Sequence, residues 1–276
     1  LISVDQFAIH IGPLAIHFYA LFLIGGILAG AWLCARRTKA HGKNVDYIWD
    51  GLIWAVIPGL IGARIYHILT PSPASGLSLQ YYMQHPEQIF AVWNGGLGIY
   101  GAIAGGALGV WLYARVKKEP LLPWLDICVP GVALAQAIGR WGNWVNQELY
   151  GAATNLPWAI YIPPGKRLPG HEGEEFYHPL FLYESILNLL ACLSLLWIER
   201  RFRDRLRSGD LILIYLMMYA TIRFLLDFLR LDSNGFGAIT TAQLVGIAIF
   251  VVSAAILVLR RVLHPRIKLV VNQGEG

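Results

Sequence analysis

The chain has 276 residues, of which 56% are apolar and only 14% charged, with a mean hydropathy of +0.52. A soluble domain has about a quarter of its residues charged, so the composition excludes an ordinary soluble enzyme and points to an integral membrane protein. The formal charge of +5 does not signal nucleic acid, because the basic residues stand in short blocks between apolar runs.

In chain order, seven apolar runs read as helices: 13–35, 47–69, 89–114, 121–138, 180–198, 211–228 and 241–259. Each is close to the ~20 residues that cross a hydrocarbon core. None shows the alternation of a barrel strand, the other element able to satisfy its backbone in lipid. The third is interrupted by Asn94-Gly95-Gly96-Leu97-Gly98 and by Gly101, and reads as an interfacial or re-entrant piece that then crosses. The first run is no secretory signal, since Arg36, Arg37 and Lys39 follow it, where a signal peptide would carry them in front. Cys34, Cys128 and Cys192 lie in apolar runs without metal-ligand spacing and read as small buried hydrophobes.

Basic residues set the expected orientation. Sixteen of the 22 fall after the first, third, fifth and seventh runs: Arg36, Arg37, Lys39 and Lys43; Arg115, Lys117 and Lys118; Arg200, Arg201, Arg203, Arg205 and Arg207; Arg260, Arg261, Arg266 and Lys268. The positive-inside rule then places the N-terminus outside and the C-terminus inside. The expectation is an all-α polytopic membrane protein: one membrane domain, seven transmembrane helices, and a cytoplasmic tail at 264–276. The long Pro- and Gly-rich stretch 141–178 would form an outer-face loop or small head. No inverted repeat is visible, which counts against a secondary transporter.

The remaining charges converge on the outer side. Arg140 ends the fourth run, with Asn143, Asn146 and Glu148 close behind. Arg223, Asp227 and Arg230 follow at spacings of four and three, which stacks them on one helix face. Arg64 and His67, Glu184 and Tyr19 lie in the outer parts of their runs. A charge at bilayer depth is costly without partners and marks a functional candidate. Plainer readings stand beside these: Arg223–Asp227 as a structural ion pair, Arg230 snorkelling to headgroups, Arg64 as a neutralised structural arginine, Glu184 favouring a helix N-terminus, and His10, His17 and His67 as interfacial groups. Several guanidinium groups in a lipid-accessible hollow suit an anionic ligand, most simply a phosphate ester such as a phospholipid.

The segment Gly139-Arg140-Trp141-Gly142-Asn143-Trp144-Val145-Asn146-Gln147-Glu148-Leu149-Tyr150-Gly151 resembles the signature of the prolipoprotein diacylglyceryl transferase family. His17-Phe18-Tyr19-Ala20-Leu21, Gly62-Ala63-Arg64, Trp93-Asn94-Gly95-Gly96-Leu97 with Tyr100-Gly101, His178-Pro179 with Leu182-Tyr183-Glu184, and Arg223 with Asp227 and Arg230 are similar to further motifs of that family. The resemblance implies transfer of the diacylglyceryl group of phosphatidylglycerol to the lipobox cysteine of a prolipoprotein. A thioether forms and glycerol phosphate leaves, at the outer leaflet of the bacterial plasma membrane. It implies no metal, no cofactor and no nucleic-acid partner.

On that resemblance Arg140, Arg223, Glu148 and Tyr100 are the catalytic candidates. Asn143, Asn146, Gly151, Tyr19, Arg64, Asp227 and Arg230, together with Arg140, would bind substrate. Two positions depart from the common pattern. Tyr100 stands where many members carry histidine, and a phenol titrating near ~10 is a poor base for a thiol near ~8.5. The acid on the sixth helix is Asp227, where glutamate is common. The rival classes are a transporter or channel for an anionic lipid, which needs a polar path to the cytosolic side, and an intramembrane protease, for which no aspartate pair, Ser/His pair or HExxH motif is present.

Overall fold

The computed structural model describes residues 2–5, 7–12, 14–70, 78–92, 95–231, 235–236 and 239–263. Three short strands, β1 (Ile2–Val4), β2 (Ala8–Ile11) and β3 (Leu14–His17), form an antiparallel sheet ahead of the first long helix. Asp5 shapes the first turn, its Oδ1 accepting the amides of Phe7 and Ala8. A hydrogen bond from His10, reinforced by those amides, holds the Asp5 carboxyl down at about 2. The helices are α1 (Phe18–Ala40), α2 (Asp46–Leu69), α3 (Leu79–Gln84), α4 (Glu87–Phe90), α5 (Ile99–Lys117), α6 (Leu121–Asn146), α7 (Leu180–Phe202), α8 (Asp210–Asp227) and α9 (Thr241–Leu263). Between α6 and α7, β4 (Ile160–Tyr161) pairs antiparallel with β5 (Phe176–Tyr177). Between α8 and α9, β6 (Gly235–Phe236) pairs with β7 (Ile239–Thr240).

Six of the nine helices among the described residues are long and apolar enough to cross a membrane: α1, α2, α5, α6, α7 and α9. The chain is a mainly helical, polytopic membrane protein. Helix α8 is shorter, at 18 residues, and carries Asp210, Arg223 and Asp227. Several boundaries differ from the sequence reading. The first helix begins at Phe18 because the preceding apolar residues pair as strands. The third begins at Ile99; the start of the expected run is the separate short helix α4. Helix α6 continues eight residues past Ile138, so Arg140, Asn143 and Asn146 are helical and the head loop starts at Gln147. Arg36, Arg37 and Lys39 belong to the last turns of α1, where cations favour the helix C-terminus. Trp93, Asn94, Pro13, Arg266, Lys268 and the tail 264–276 lie outside the described residues.

The chain divides into two compact units, Ala31–Ile127 and Leu1–Gly30 with Cys128–Gly276. In the former, α2 lies along α5 through small residues. A Cβ at Gly101 would overlap the Gly62 carbonyl, and one at Gly109 would overlap the Trp54 carbonyl. The second contact has a cause in the sequence. Pro58 interrupts α2, and having no N–H it leaves the carbonyl four residues back, on Trp54, without a helical donor. That carbonyl faces the bare backbone at Gly109. On the other side of α2, Ile53, Ile57, Ile61 and Ile65 recur every fourth residue and are each more than half exposed, an apolar stripe suited to lipid.

A second helix-interior proline acts in the same way. Pro130 in α6 leaves the Asp126 carbonyl without a helical donor, and the buried Arg37 supplies one at 3.0 Å and donates also to Ile127 O. Arg37 is thus a structural arginine, although its position just after an apolar run reads as a loop cation.

In the head loop, Tyr150, Ile162 and Tyr177 form a small core. The Tyr177 hydroxyl donates to the carbonyls of His171 (2.6 Å) and Glu174 (2.9 Å), and burial pushes this phenol above its ordinary pKa.

Glycine at 109 is predicted to be required and glycine at 25 dispensable, since a Cβ at Gly25 would meet nothing within 4 Å. Gly109→Ala should lower stability by about 1–3 kcal/mol through overpacking. Gly25→Ala should be neutral or stabilising by roughly 0.5–1 kcal/mol. Thermal unfolding in detergent reads both, and equal Tm values would refute the packing account.

Candidate active site

The charges that the sequence places at depth are brought together by α6, α7 and α8. Arg140, Asn143 and Asn146 lie three residues apart, along one side of the last turns of α6. Helix α7 starts directly after His178-Pro179, which sets Glu184 in its second turn, and the side chain is buried at 5% exposure. Its two carboxylate oxygens face different helices. Oε2 lies against Arg140 Nε, a charge contact whose N–H direction does not complete a hydrogen bond. Oε1 lies 3.9 Å from Arg223 Nη1. Arg223 Nη2 is 3.5 Å from Asp227 Oδ1, one turn along α8. Asp227 is fully buried, and its Oδ2 accepts a hydrogen bond from Thr240, which α9 fixes through Gln243 at 3.1 Å in both directions. The order Arg140–Glu184–Arg223–Asp227 is an alternating chain of charges on three helices.

These contacts leave guanidinium donors available. Arg140 Nη1 makes only a 3.4 Å bond to Asn143, and Arg223 has charge contacts but no hydrogen bond among the described residues. Their side chains are 34% and 26% exposed, whereas the carboxylates they face are buried. Such a pair can grip two oxygens of an oxyanion while its own counter-charges hold it in place. Asn143 extends the array, donating to Glu148 Oε1 at 2.7 Å. Glu148 sits on an unusual turn, because Gln147 and Leu149 on either side both adopt left-handed backbone (φ 55° and 56°). For residues with side chains that conformation costs roughly 1–3 kcal/mol and tends to occur at functional turns.

The turn is stapled to its neighbours through the backbone. Phe181 N donates to Leu149 O (3.1 Å), Gly151 N to His178 O (2.9 Å) and Ala152 N to Leu229 O (2.8 Å). Gly151 forms a one-residue antiparallel bridge with Arg230, and a Cβ there would stand 2.7 Å from Leu229 O. Glycine at 151 is therefore required by chain packing. Tyr19, at the start of α1, packs its ring on Gly142, where a Cβ would come within 2.8 Å, and lies within electrostatic reach of Glu148 and Arg140. Asn146 makes no side-chain hydrogen bond among the described residues and is half-buried.

Arg64 and Tyr100 belong to the unit Ala31–Ile127. The buried Arg64 gives its donors to main-chain carbonyls: Ile89 (2.9 Å), Gly95 (2.7 Å), Gly96 (3.0 Å) and Gln88. That is the neutralised arrangement set out above as its plainer reading. Tyr100, at the start of α5, is 69% exposed, its ring 5.7 Å from that of Tyr66 and its hydroxyl without a hydrogen bond among the described residues.

The sequence placed Glu184 among the outer-side charges and in a family motif, with a helix N-terminus as its plainer reading, but did not bring it into the set of site residues. Its signal was present: a carboxylate inside an apolar helix must face cations, and the two nearest in type were already singled out. Thr240 and Gln243, which hold Asp227, gave no signal at all.

A family model described as prolipoprotein diacylglyceryl transferase matches residues 6–259. The Streptomyces coelicolor protein named phosphatidylglycerol–prolipoprotein diacylglyceryl transferase 2 is 40% identical over 272 residues, covering 97% of this chain and 83% of its own length. The Gloeobacter violaceus protein of the same name, without the numeral, is 40% identical over 247 residues, covering 89% of each chain. A Nostoc protein so named is 39% identical over 259 residues, covering 92% of this chain and 89% of its own. With a match over almost its whole length and relatives at such identity, this chain belongs to the prolipoprotein diacylglyceryl transferase family.

Proposed function

We propose that this chain transfers the diacylglyceryl group of phosphatidylglycerol to the lipobox cysteine of a prolipoprotein, at the outer leaflet of a bacterial plasma membrane. The observation that carries the reading is the pair Arg140 and Arg223, held by one buried carboxylate with donors to spare. In the reaction the cysteine sulfur attacks the glycerol carbon that bears the phosphate ester. The C–S bond forms, the C–O bond breaks with its electron pair passing to the phosphate oxygen, and glycerol phosphate departs with the thiol proton balancing the products. Charge grows on the leaving phosphate, which is where preorganised donors accelerate a reaction most. Arg140 and Arg223 take that role. Asn143 and Asn146 orient phosphate or glycerol oxygens, and Glu148, hydrogen-bonded to Asn143, faces the thiol or steadies Arg140.

Glu184 and Asp227 are positioning residues: each fixes a guanidinium without needing to touch substrate. Tyr19, Gly151, Asp227 and Arg230 are the further substrate-binding candidates on this reading, and Arg64 and Tyr100 are the candidates carried by the other unit. The membrane arrangement that goes with this reading is a single domain of seven spans, α8 being the seventh. Its N-terminus and head loop are outside and its C-terminal tail inside, as the distribution of Arg and Lys supports. Helix α8 is tolerable in lipid because its charges are paired.

The purified protein, given phosphatidylglycerol and a lipobox peptide, is expected to add one diacylglyceryl mass to the peptide only when the cysteine is present. Arg140→Lys and Arg223→Lys should each reduce that turnover by about 10²–10³-fold, with the fold retained because a cation still faces Glu184. Wild-type rates in either variant would remove that arginine from the assignment.

Glu184→Gln gives a second, signed expectation. Removing the carboxylate that competes with phosphate should leave KM for the lipid unchanged or lower, while kcat falls at least tenfold as the guanidinium groups lose their orientation. A rise in KM with kcat intact would mean that Glu184 serves only lipid binding.

Tyr100→Phe should preserve Tm, since the side chain is 69% exposed and its hydroxyl makes no hydrogen bond among the described residues. A drop in turnover of about tenfold is expected if the phenol orients substrate, in the range of a lost hydrogen bond. Unchanged turnover makes the ring a packing element.

A further inference from the structure

The end of α8 remote from the charged array carries a second buried carboxylate. Asp210, in the first turn of α8, is 1% exposed. Its Oδ2 accepts the Arg207 amide at 2.9 Å and Arg261 Nη2 at 2.8 Å, and its Oδ1 lies 3.7 Å from Arg260 Nη1. Two carbonyls close the group: Arg207 Nη1 donates to Arg260 O, and Arg260 Nη2 to Ser208 O at 2.6 Å. Three guanidinium groups thus gather at a single carboxylate and keep donors in reserve. Arg261 makes no contact through Nε or Nη1 among the described residues, and the side chains of Arg260 and Arg261 are 32% and 42% exposed. Across residues 199–210 and 260–261, seven arginines stand against three acids, so the unmatched partner is an anion. The surroundings say which kind. Val258, Val251 and Ile247 precede Arg261 at successive spacings of three, seven and four, on one face of α9, and all three are exposed. This stripe runs ~21 Å down from Arg261, deeper than the ~15 Å of hydrocarbon in one leaflet. A soluble phosphate ester would use the arginines and leave the stripe unused.

We propose that Arg260 and Arg261, braced on Asp210, form a second lipid site, which takes the headgroup phosphate of an anionic phospholipid while an acyl chain lies along the Val258–Val251–Ile247 stripe. Guanidinium groups set side by side on one carboxylate present the planar donors that grip two phosphate oxygens. Basic sites between helices at the inner face are suited to such headgroups. Asp210 and Asp227 mark the two ends of α8, which are about 25 Å apart along the helix. The leaflet assignment rests on the function proposed above: with the reaction at the outer leaflet, a lipid held at Asp210 belongs to the inner one and is no donor. Its role is mechanical. The phosphate neutralises arginines that Asp210 alone leaves in excess, and it fastens the end of α9 to the turn before α8, at the foot of the helix that carries Arg223.

The test follows thermal unfolding of the full-length protein in neutral detergent micelles, with phosphatidylserine as the probe and phosphatidylcholine or free glycerol phosphate as controls. Phosphatidylserine should raise Tm by about 3–5 °C, and neither control should do so. The rise should persist in Arg223→Lys, which alters the outer array. It should fall to less than about a third in Arg261→Gln and in Arg261→Lys, because neither side chain grips two oxygens. Lysine keeps a cation against Asp210, so the Arg261→Lys protein retains its fold and its basal Tm. Turnover of phosphatidylglycerol by that variant in phosphatidylcholine micelles should stay within about twofold of the unaltered protein. A full rise in both Arg261 variants overturns the site, and so does a rise lost in Arg223→Lys but kept in Arg261→Gln, which assigns the lipid to the outer array. An equal rise with glycerol phosphate overturns the lipid in favour of a soluble phosphate ester. Absence of transfer by the unaltered protein overturns the proposed function and with it the leaflet, while a rise that depends on Arg261 still upholds the lipid site.

Discussion

Glu184 is the constraint from which the charged array follows. A carboxylate at 5% exposure in an apolar helix is untenable alone, and so is a guanidinium facing the same low-dielectric space. Placed between Arg140 and Arg223, it makes both tolerable and ties α6 to α8 through α7. Removing one member of such a buried set leaves an uncompensated charge, at a typical cost of about 3–5 kcal/mol. The arginines are held by the edges turned to carboxylate, and on the function proposed above the edges left over are those that grip the phosphate.

The backbone around residues 147–152 converts that side-chain network into a fixed geometry. Left-handed Gln147 and Leu149 turn the chain sharply off α6, and the amides of Phe181, Gly151 and Ala152 fasten it to the start of α7 and the end of α8. The three helices carrying Arg140, Glu184 and Arg223 are registered against each other at the level where their charges meet. Gly151 takes its place in this scheme as a point where two strands of chain pass too closely for a Cβ.

Much of this was legible in the sequence, for reasons that differ by residue. The helices were readable because lipid demands long apolar runs, and Arg140, Asn143 and Arg223 because polar groups are conspicuous against them. The end of α6 was misplaced since hydropathy stops at Ile138 while helical hydrogen bonding does not. Phe18 as the start of α1 was hidden because the strand Leu14–His17 is as apolar as the helix it precedes. Glu184 was readable as an outer-side charge but its partners were not, since they are 44 residues behind it and 39 ahead. Arg37 looked like a loop cation for the same reason: a carbonyl acceptor 89 residues away leaves no local trace.

That carbonyl and the one on Trp54 share an origin, and it reaches beyond their immediate contacts. Each interior proline turns a main-chain oxygen outward from its own helix, and in hydrocarbon such an oxygen acts as a directional anchor that no solvent can quench. A helix pair assembled around one of these points has a single sliding position at which it fits. Changes at 58 and 109, or at 130 and 37, should accordingly be tolerated in company and poorly tolerated apart, so the kinks encode pairing between helices as well as bends within them.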